Sequence, residues 1–219
     1  MLPGIAPVIA GLLSAPPPAT SDLLIVMLAH RDTANGAASW PVGWTVLCAV
    51  TNSNIVAEIG YKVDDGSTGA TINVTTTASA QSAHCSYRIR GRTGNPEQSN
   101  TGTSSGSTNM DPPSLSPSWG ADNTLWLACA AWQQDNNLND PSYPANYSNG
   151  FAYHSSNNQA SMASCQRTLN AASEDPAALV YTSSRRYVAA TVAIQPNSGS
   201  TPSVNNTSGG TTSSASTTH

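Results

Sequence analysis

The feature that most limits what this chain can fold into is an approximate internal repeat with a period of about one hundred residues. Ser21-Asp22-Leu23-Leu24-Ile25-Val26-Met27-Leu28-Ala29 is echoed by Asp122-Asn123-Thr124-Leu125-Trp126-Leu127-Ala128-Cys129-Ala130. Trp40-Pro41-Val42-Gly43-Trp44 is echoed by Tyr143-Pro144-Ala145-Asn146-Tyr147. Ile55–Val63 pairs in pattern with Ala160–Thr168, and Cys85–Ile89 with Ala190–Ile194. The segments keep their order in both copies. A chain of this kind is expected to build two halves of shared topology.

Each repeated segment reads as a strand. Val56, Glu58, Gly60 and Lys62 alternate with Ile55, Ala57, Ile59 and Tyr61, the period of an antiparallel strand with one covered and one wet face. Asp64-Asp65-Gly66-Ser67 supplies a turn directly after it. The same reading predicts strands over Leu23–His30, Thr45–Val50, Thr71–Thr77 and Gln81–Arg90. In the second half it predicts Thr124–Trp132, Gly150–His154, Ser161–Leu169, Ala178–Thr182 and Tyr187–Gln195. No segment carries a helical period, and Ser, Thr, Asn and Gly replace the Glu and Lys that favour helices. The expected fold is all-β, an antiparallel β-sandwich (jelly-roll-like) of two quasi-repeated halves. A half of about 70 residues buries too little to stand alone easily, so one domain is expected.

The organisation read from composition is an arm, a body and a tail. Residues 1–20 form an apolar, Pro-rich N-terminal arm. Residues 21–196 form the sandwich, with halves 21–91 and 118–196 joined by a long loop, 92–117. Residues 197–219 form a Ser/Thr/Gly-rich tail. The arm is no secretory signal on this reading: it lacks a basic start, and Pro3, Gly4 and Pro7 interrupt its apolar run. It presents Leu2, Ile5, Val8, Ile9, Leu12 and Leu13, a candidate interface. The tail has only Val204 and Ala215 to bury, and ordering it would cost roughly 1–2 kcal/mol of backbone entropy per residue. Both ends are therefore expected to pack on neighbouring chains, the tail by adding a strand to a sheet edge.

Charge excludes further classes. Charged residues are 9% of the chain and the net charge is −4, so no basic patch exists to neutralise phosphates and no nucleic-acid partner is expected. Arg88, Arg90 and Arg92 share one strand face, read as solvated. No apolar run reaches the length of a membrane-spanning helix, and no membrane partner is expected. Cys48, Cys85, Cys129 and Cys165 lack the paired spacing of a zinc site, and buried free thiols are expected, with a Cys48–Cys85 disulfide as the alternative.

The search for chemistry yields weak candidates. His30-Arg31-Asp32 is read as a strand end reaching solvent rather than a base with its orienting acid. His84 and His154 stand apart from evident partners and are read as structural. The acidic pairs Asp64–Asp65 and Asp135/Asp140 sit in turn-like sequence, where Asp caps backbone. Asp135-Asn136-Asn137 and Asn139-Asp140 could offer oxygens to calcium but match no calcium loop. The expectation is no enzyme, no cofactor and no metal. Trp40, Trp44, Tyr143 and Tyr147 flank the two equivalent turns. They are candidate surface aromatics for stacking on a glycan, or plugs for the open ends of the sandwich, and the plug reading is preferred.

Four stretches carry a family resemblance: the opening strand Asp22–Asp32, the turn Pro41-Val42-Gly43-Trp44-Thr45, the strand end Tyr61-Lys62-Val63-Asp64, and Tyr87-Arg88-Ile89-Arg90-Gly91. Together they resemble a phage-encoded family of β-sandwich structural proteins. The likeness covers the first third of the body well and the second half weakly. It departs at the start, where Pro16-Pro17-Pro18 and the apolar arm replace a polar, Thr-rich strand. The resemblance implies a virion location and a structural role. A capsid decoration or cement protein is expected, a head or tail fibre component being the nearest alternative. The partners would be the major capsid protein, other virion proteins or further copies of this chain in a homo-oligomer. A carbohydrate-binding or adhesion module is the reading from another class.

Overall fold

In the computed structural model, residues 8–10, 21–31, 36–69, 71–76, 81–133, 139–155 and 160–212 are described. Among them there are thirteen strands and no helix. They are β1 (Val8–Ala10), β2 (Leu23–Arg31), β3 (Thr45–Asn52), β4 (Ile55–Val63), β5 (Thr71–Asn73), β6 (Ser82–Arg90) and β7 (Glu97–Gln98). After these come β8 (Gly102–Met110), β9 (Asp122–Trp132), β10 (Ser148–His154), β11 (Ser161–Ala171), β12 (Leu179–Ile194) and β13 (Ser203–Thr212).

The strands form two antiparallel sheets and a two-stranded ribbon. One sheet runs β13-β6-β2-β4-β3. The other runs β10-β11-β9-β12, with β7 and β8 both pairing β12. With β2, β3, β4 and β6 matched to β9, β10, β11 and β12, the order is the same in each sheet: fourth, first, third, second. The repeat therefore gives one sheet per half, and the sheets pack face to face. β10 lies across β13 and β6, while β3 lies across β12, β7 and β8.

Between the sheets sits the main core. Leu23, Ile25, Met27, Ile59, Cys85, Tyr87 and Ile89 meet Leu125, Leu127, Cys129, Met162, Val188, Val192 and Ile194. These are alternate residues along their strands, as the pleat requires. The opposite faces are covered too. Leu24, Val26 and Leu28 of β2 pack under Ile72, Val74, Trp40 and Trp44. Ala128, Ala130 and Trp132 of β9 pack under Met110, Leu179, Tyr181 and Tyr143. β4 is correspondingly buried on both faces from Ile55 to Tyr61, not wet on one as its alternation suggested. Its Glu58 and Gly60 lie beneath Trp40, a contact between distant segments that periodicity does not carry.

The loop and the tail are corrected together. The stretch 92–117 is no structureless connection: β7 and β8 lie within it. The tail is no separate segment: Ser203–Thr212 pairs β6 of the same chain, from Ser203↔Arg90 to Thr212↔Ser82. The two are one element seen twice. Each half's last long strand is followed by a segment that crosses to the other sheet and pairs the other half's last long strand, so β8 joins β12 and β13 joins β6. The paths cross where Arg92 bridges Pro196. There Thr93 N donates to Gln195 O at 3.0 Å and Asn197 N to Gly91 O at 2.8 Å. Gly94 and Gly199, with φ of 60° and 75°, turn the chain after the crossing in each copy. Ser, Thr and Gly suit these strands because both lie at sheet edges, where polar side chains meet water without desolvation.

The arm folds inward as well. β1 pairs β5 through Val8↔Asn73, Ile9↔Ile72 and Ala10↔Thr71, so this part of the candidate interface takes its backbone partners from its own chain. Leu2, Ile5, Leu12 and Leu13 lie outside the described residues. Val204, expected at an interface between chains, packs on the core of its own sandwich, because the β13–β6 ladder brings it there. The predicted strands Ala178–Thr182 and Tyr187–Gln195 are one strand, β12, whose register shifts twice against β8 between Val180 and Tyr187.

Candidate functional site

The two aromatic turns are built alike. Trp44 N donates to Pro41 O at 3.2 Å, and Tyr147 N donates to Pro144 O at 3.2 Å. The third position has positive φ in both, 86° at Gly43 and 68° at Asn146, which Gly and Asn tolerate best. Ser39 pairs Thr75, two residues beyond β5, and Ser142 pairs Val180 of β12, so each turn is anchored at its start by an isolated backbone bridge.

The first aromatic of each turn lies on a glycine. A Cβ at Gly60 would stand 2.4 Å from the Trp40 ring, and one at Gly150 would stand 2.5 Å from the Tyr143 ring. Trp44 is 5.7 Å from Trp40 between ring centroids. All four rings are half-buried, and the turn tip Val42 is 100% exposed. Tyr147 OH donates to Glu174 Oε1 at 3.3 Å, and Arg167 Nη1 holds the same oxygen at 2.9 Å. Burial pushes the Tyr143 and Tyr147 phenols well up.

Below the first turn lies a buried polar knot. Glu58 accepts from Trp40 Nε1 at 2.7 Å through Oε2 and from Ala38 N at 2.6 Å through Oε1. Its Oε1 also meets His30 Nε2 at 3.2 Å. Glu58 and His30 are fully buried, so His30 is not at a wet strand end as its sequence context suggested. The partner is Glu58, 28 residues along the chain. Asp32 lies outside the described residues. Twenty-eight residues separate the pair in sequence, and only the β2–β4 ladder brings them together.

A second histidine, set aside as isolated, has two partners. His154 Nδ1 is 2.9 Å from Ser161 Oγ, and its Nε2 is 3.1 Å from Asp140 Oδ1, with Trp132 edge-on at 5.7 Å. Serine, histidine and aspartate in line invite comparison with a nucleophilic triad. Here, however, Ser161 is fully buried while Asp140 is 60% exposed on its side chain. The hydroxyl is buried against the protein and the acid faces water, an arrangement opposite to that of an exposed nucleophile backed by a buried acid. The geometry supports a strut tying Asp140 to β10 and β11.

The remaining candidates are accounted for by local bonds. Asp64 accepts from Gly66 N at 3.1 Å, and Asp65 accepts from Ser67 N at 2.9 Å. Hydrogen bonds from Ser67 hold the Asp65 carboxyl down at about 2. Asp135-Asn136-Asn137 lies outside the described residues, and among the described residues no group of three His, Cys, Asp or Glu is placed to hold a metal. Arg88 and Arg90 do not share a solvated face: Arg88 is buried, and both reach Asp22, Arg90 Nε at 2.9 Å and Arg88 Nε at 3.8 Å. Arg92 caps the start of the body through Ser21 O at 3.1 Å. Removing the Asp22 charge from water is offset by Arg88 and Arg90, which explains basic residues concentrated at one strand end.

All four cysteines are free and buried, with no Cys48–Cys85 disulfide. Burial pushes the Cys48 thiol up to about 11 and the Cys165 thiol up to about 12. Compared with protein-family models, with curated proteins and with solved structures, the chain matches none.

Proposed function

We propose that this chain is a non-catalytic structural protein of a bacteriophage virion, a decoration or cement protein that stabilises a capsid shell through protein–protein contacts. One observation carries the reading: the polar groups best suited to chemistry are held in bonds within the chain, while the chain has few charged residues and an exposed, hydroxyl-rich edge strand. Glu58, His30, His154 and Asp22 all have partners within the sandwich. Along β8 the residues Thr103, Ser105, Gly106, Thr108 and Asn109 are exposed. Such a surface joins a neighbour by hydrogen bonds with little desolvation of charge. The resemblance of the Asp22–Asp32 and Tyr87–Gly91 segments to phage structural proteins supplies the virion context.

A decoration protein binds the assembled shell and not its free subunits, so it stabilises the shell by mass action. The test is sedimentation of purified shells with the purified chain, followed by thermal disruption. Saturable co-sedimentation and a raised disruption temperature are expected. Binding to free capsid subunits alone, or none to shells, refutes the reading.

A glycan-binding module is the second reading. It is favoured by the indole pair Trp40–Trp44 beside the fully exposed Val42. A glycan array separates the two: binding lost in Trp44→Ala would establish the second and displace the first.

A further inference from the structure

We propose that β13 is an exchangeable strand, and that a second copy of this chain is its alternative host. In the exchanged form, β13 of one copy leaves β6 of its own sandwich and takes the same register on β6 of the other, reciprocally. The inference does not rest on the virion reading.

Three observations lead to it. First, the fold already makes this exchange once within the chain, since each half lends its last strand to the other half's sheet. β8 lies between two bodies of sequence and is tied at both ends. Among the described residues no strand follows β13, which joins β12 through the crossing before it. Second, the ladder is mostly backbone. Nine Cα partners run from Ser203↔Arg90 to Thr212↔Ser82, and Val204 is the apolar residue of β13 that packs on the core. The same ladder and the same contact form in either host, so the two forms differ chiefly in the entropy of the tether.

The third observation selects the occupant. The groove beside β6 accepts a strand with glycine at two successive positions. A Cβ at Gly209 would stand 2.0 Å from the Tyr153 ring and 2.6 Å from His84 O, and one at Gly210 would stand 3.2 Å from the His84 ring. Gly209-Gly210 is the one Gly-Gly pair in the sequence. A strand with a side chain at the position of Gly209 is excluded by Tyr153 and by the His84 backbone, and one at Gly210 would press on the His84 ring, whereas a second copy carries the matching strand. The crossing supplies the hinge. Pro196 and Pro202 bracket it, Ser200 N donates to Asn197 O at 2.9 Å, and Gly199 sits at φ 75° with nothing within 4 Å of an added Cβ. Rotation there redirects β13 without disturbing β12. Short hinges of this kind are the usual route to strand-exchanged dimers.

The experiment uses the full chain in two single variants, Ser86→Cys and Ser208→Cys, whose Cα atoms are ladder partners. Neither variant can form the 86–208 disulfide within itself. Equal amounts are unfolded, mixed, refolded at a series of concentrations and oxidised. Covalent dimers are then mapped for a disulfide joining positions 86 and 208. The double variant, refolded dilute, serves as the geometric control and is expected to close the bond within one chain. The expected result is a mapped 86–208 dimer that is scarce at ~10 µM and comparable with monomer near ~1 mM, the effective concentration of a short tether. Adding Gly209→Val to the Ser208→Cys chain should abolish the bond. Absence of the mapped dimer at every concentration while the control closes overturns the exchange. Failure of the control to close overturns the ladder on which it is built.

Discussion

Replacing Glu58 by glutamine tests whether the knot under Trp40 holds the first turn onto its sheet. The carboxylate gives two oxygens to three groups: Ala38 N at 2.6 Å, His30 Nε2 at 3.2 Å and Trp40 Nε1 at 2.7 Å. Glutamine has almost the same shape but one oxygen and one NH₂. Whichever way the amide is turned, its NH₂ faces either the Trp40 indole N–H or the Ala38 N–H, a donor against a donor. One buried N–H is then left without an acceptor, at roughly 1–3 kcal/mol, and the surviving bond is weakened by loss of the carboxylate, so Glu58→Gln should destabilise by about 2–4 kcal/mol. With a urea slope of about 3 kcal/mol/M, the midpoint should fall by roughly 1 M. With the NH₂ turned toward Trp40 the indole loses its partner, and tryptophan emission of the native state should then change too. The assay is equilibrium urea unfolding followed at once by tryptophan fluorescence and by far-ultraviolet circular dichroism. A loss below about 0.5 kcal/mol, with unchanged native emission, would mean that water already serves these donors and that the knot does not hold the turn.

Further outcomes follow from the same geometry. Gly60→Ala places a Cβ 2.4 Å from the Trp40 ring and Gly150→Ala places one 2.5 Å from the Tyr143 ring, so each should cost about 1–3 kcal/mol in urea unfolding, and equal tolerance of both would refute the ring-on-glycine packing. Gly43→Ala, at φ 86°, should destabilise by about 1–2 kcal/mol while Asn146→Gly, at φ 68°, should stay within about 0.5 kcal/mol of the parent; the reverse order would refute the equivalence of the two turns. The buried thiols ionise less readily folded than unfolded, so they add stability below about pH 9 that is lost as pH rises from 9 through the Cys48 value of about 11. The urea midpoint should therefore fall across that window, and less steeply in Cys48→Ala. Native chain at pH 8 should resist thiol-reactive dyes until unfolded, and prompt labelling of all four cysteines would show that they are not buried as placed.

The repeat was the most informative signal in the sequence, and the strand orders of the two sheets account for it. Its force came from order: Leu23–Ala29, the Pro41 turn, Ile55–Val63 and Cys85–Ile89 recur in the same succession, and succession fixes which strands can be neighbours. The site was less legible. His30 and Glu58 are cross-strand neighbours at a separation of 28 residues, and His154 finds Ser161 across a hairpin and Asp140 across a loop. One clue to the knot was available in the sequence, an acidic residue on a strand otherwise apolar on both sides of it. A wet face explained that residue equally well.

What the sequence determined by itself is the class of structure. Apolar runs of strand length, turn residues between them and few helix formers leave an antiparallel sandwich as the arrangement that buries those runs and pairs their backbones. Two copies of that pattern dictate two halves alike. What only the tertiary structure decided is where the polar segments go. Gly102–Met110 and Ser203–Thr212 have almost nothing to bury, so no hydrophobic period marks them, and composition alone reads one as a loop and the other as a loose tail. Their places are set by the unpaired edges of β12 and β6, whose N–H and C=O groups need partners. A backbone ladder is indifferent to side chains, which is why it is invisible in sequence. It becomes specific only through the surroundings, here the Tyr153 ring that admits a strand with glycine at position 209.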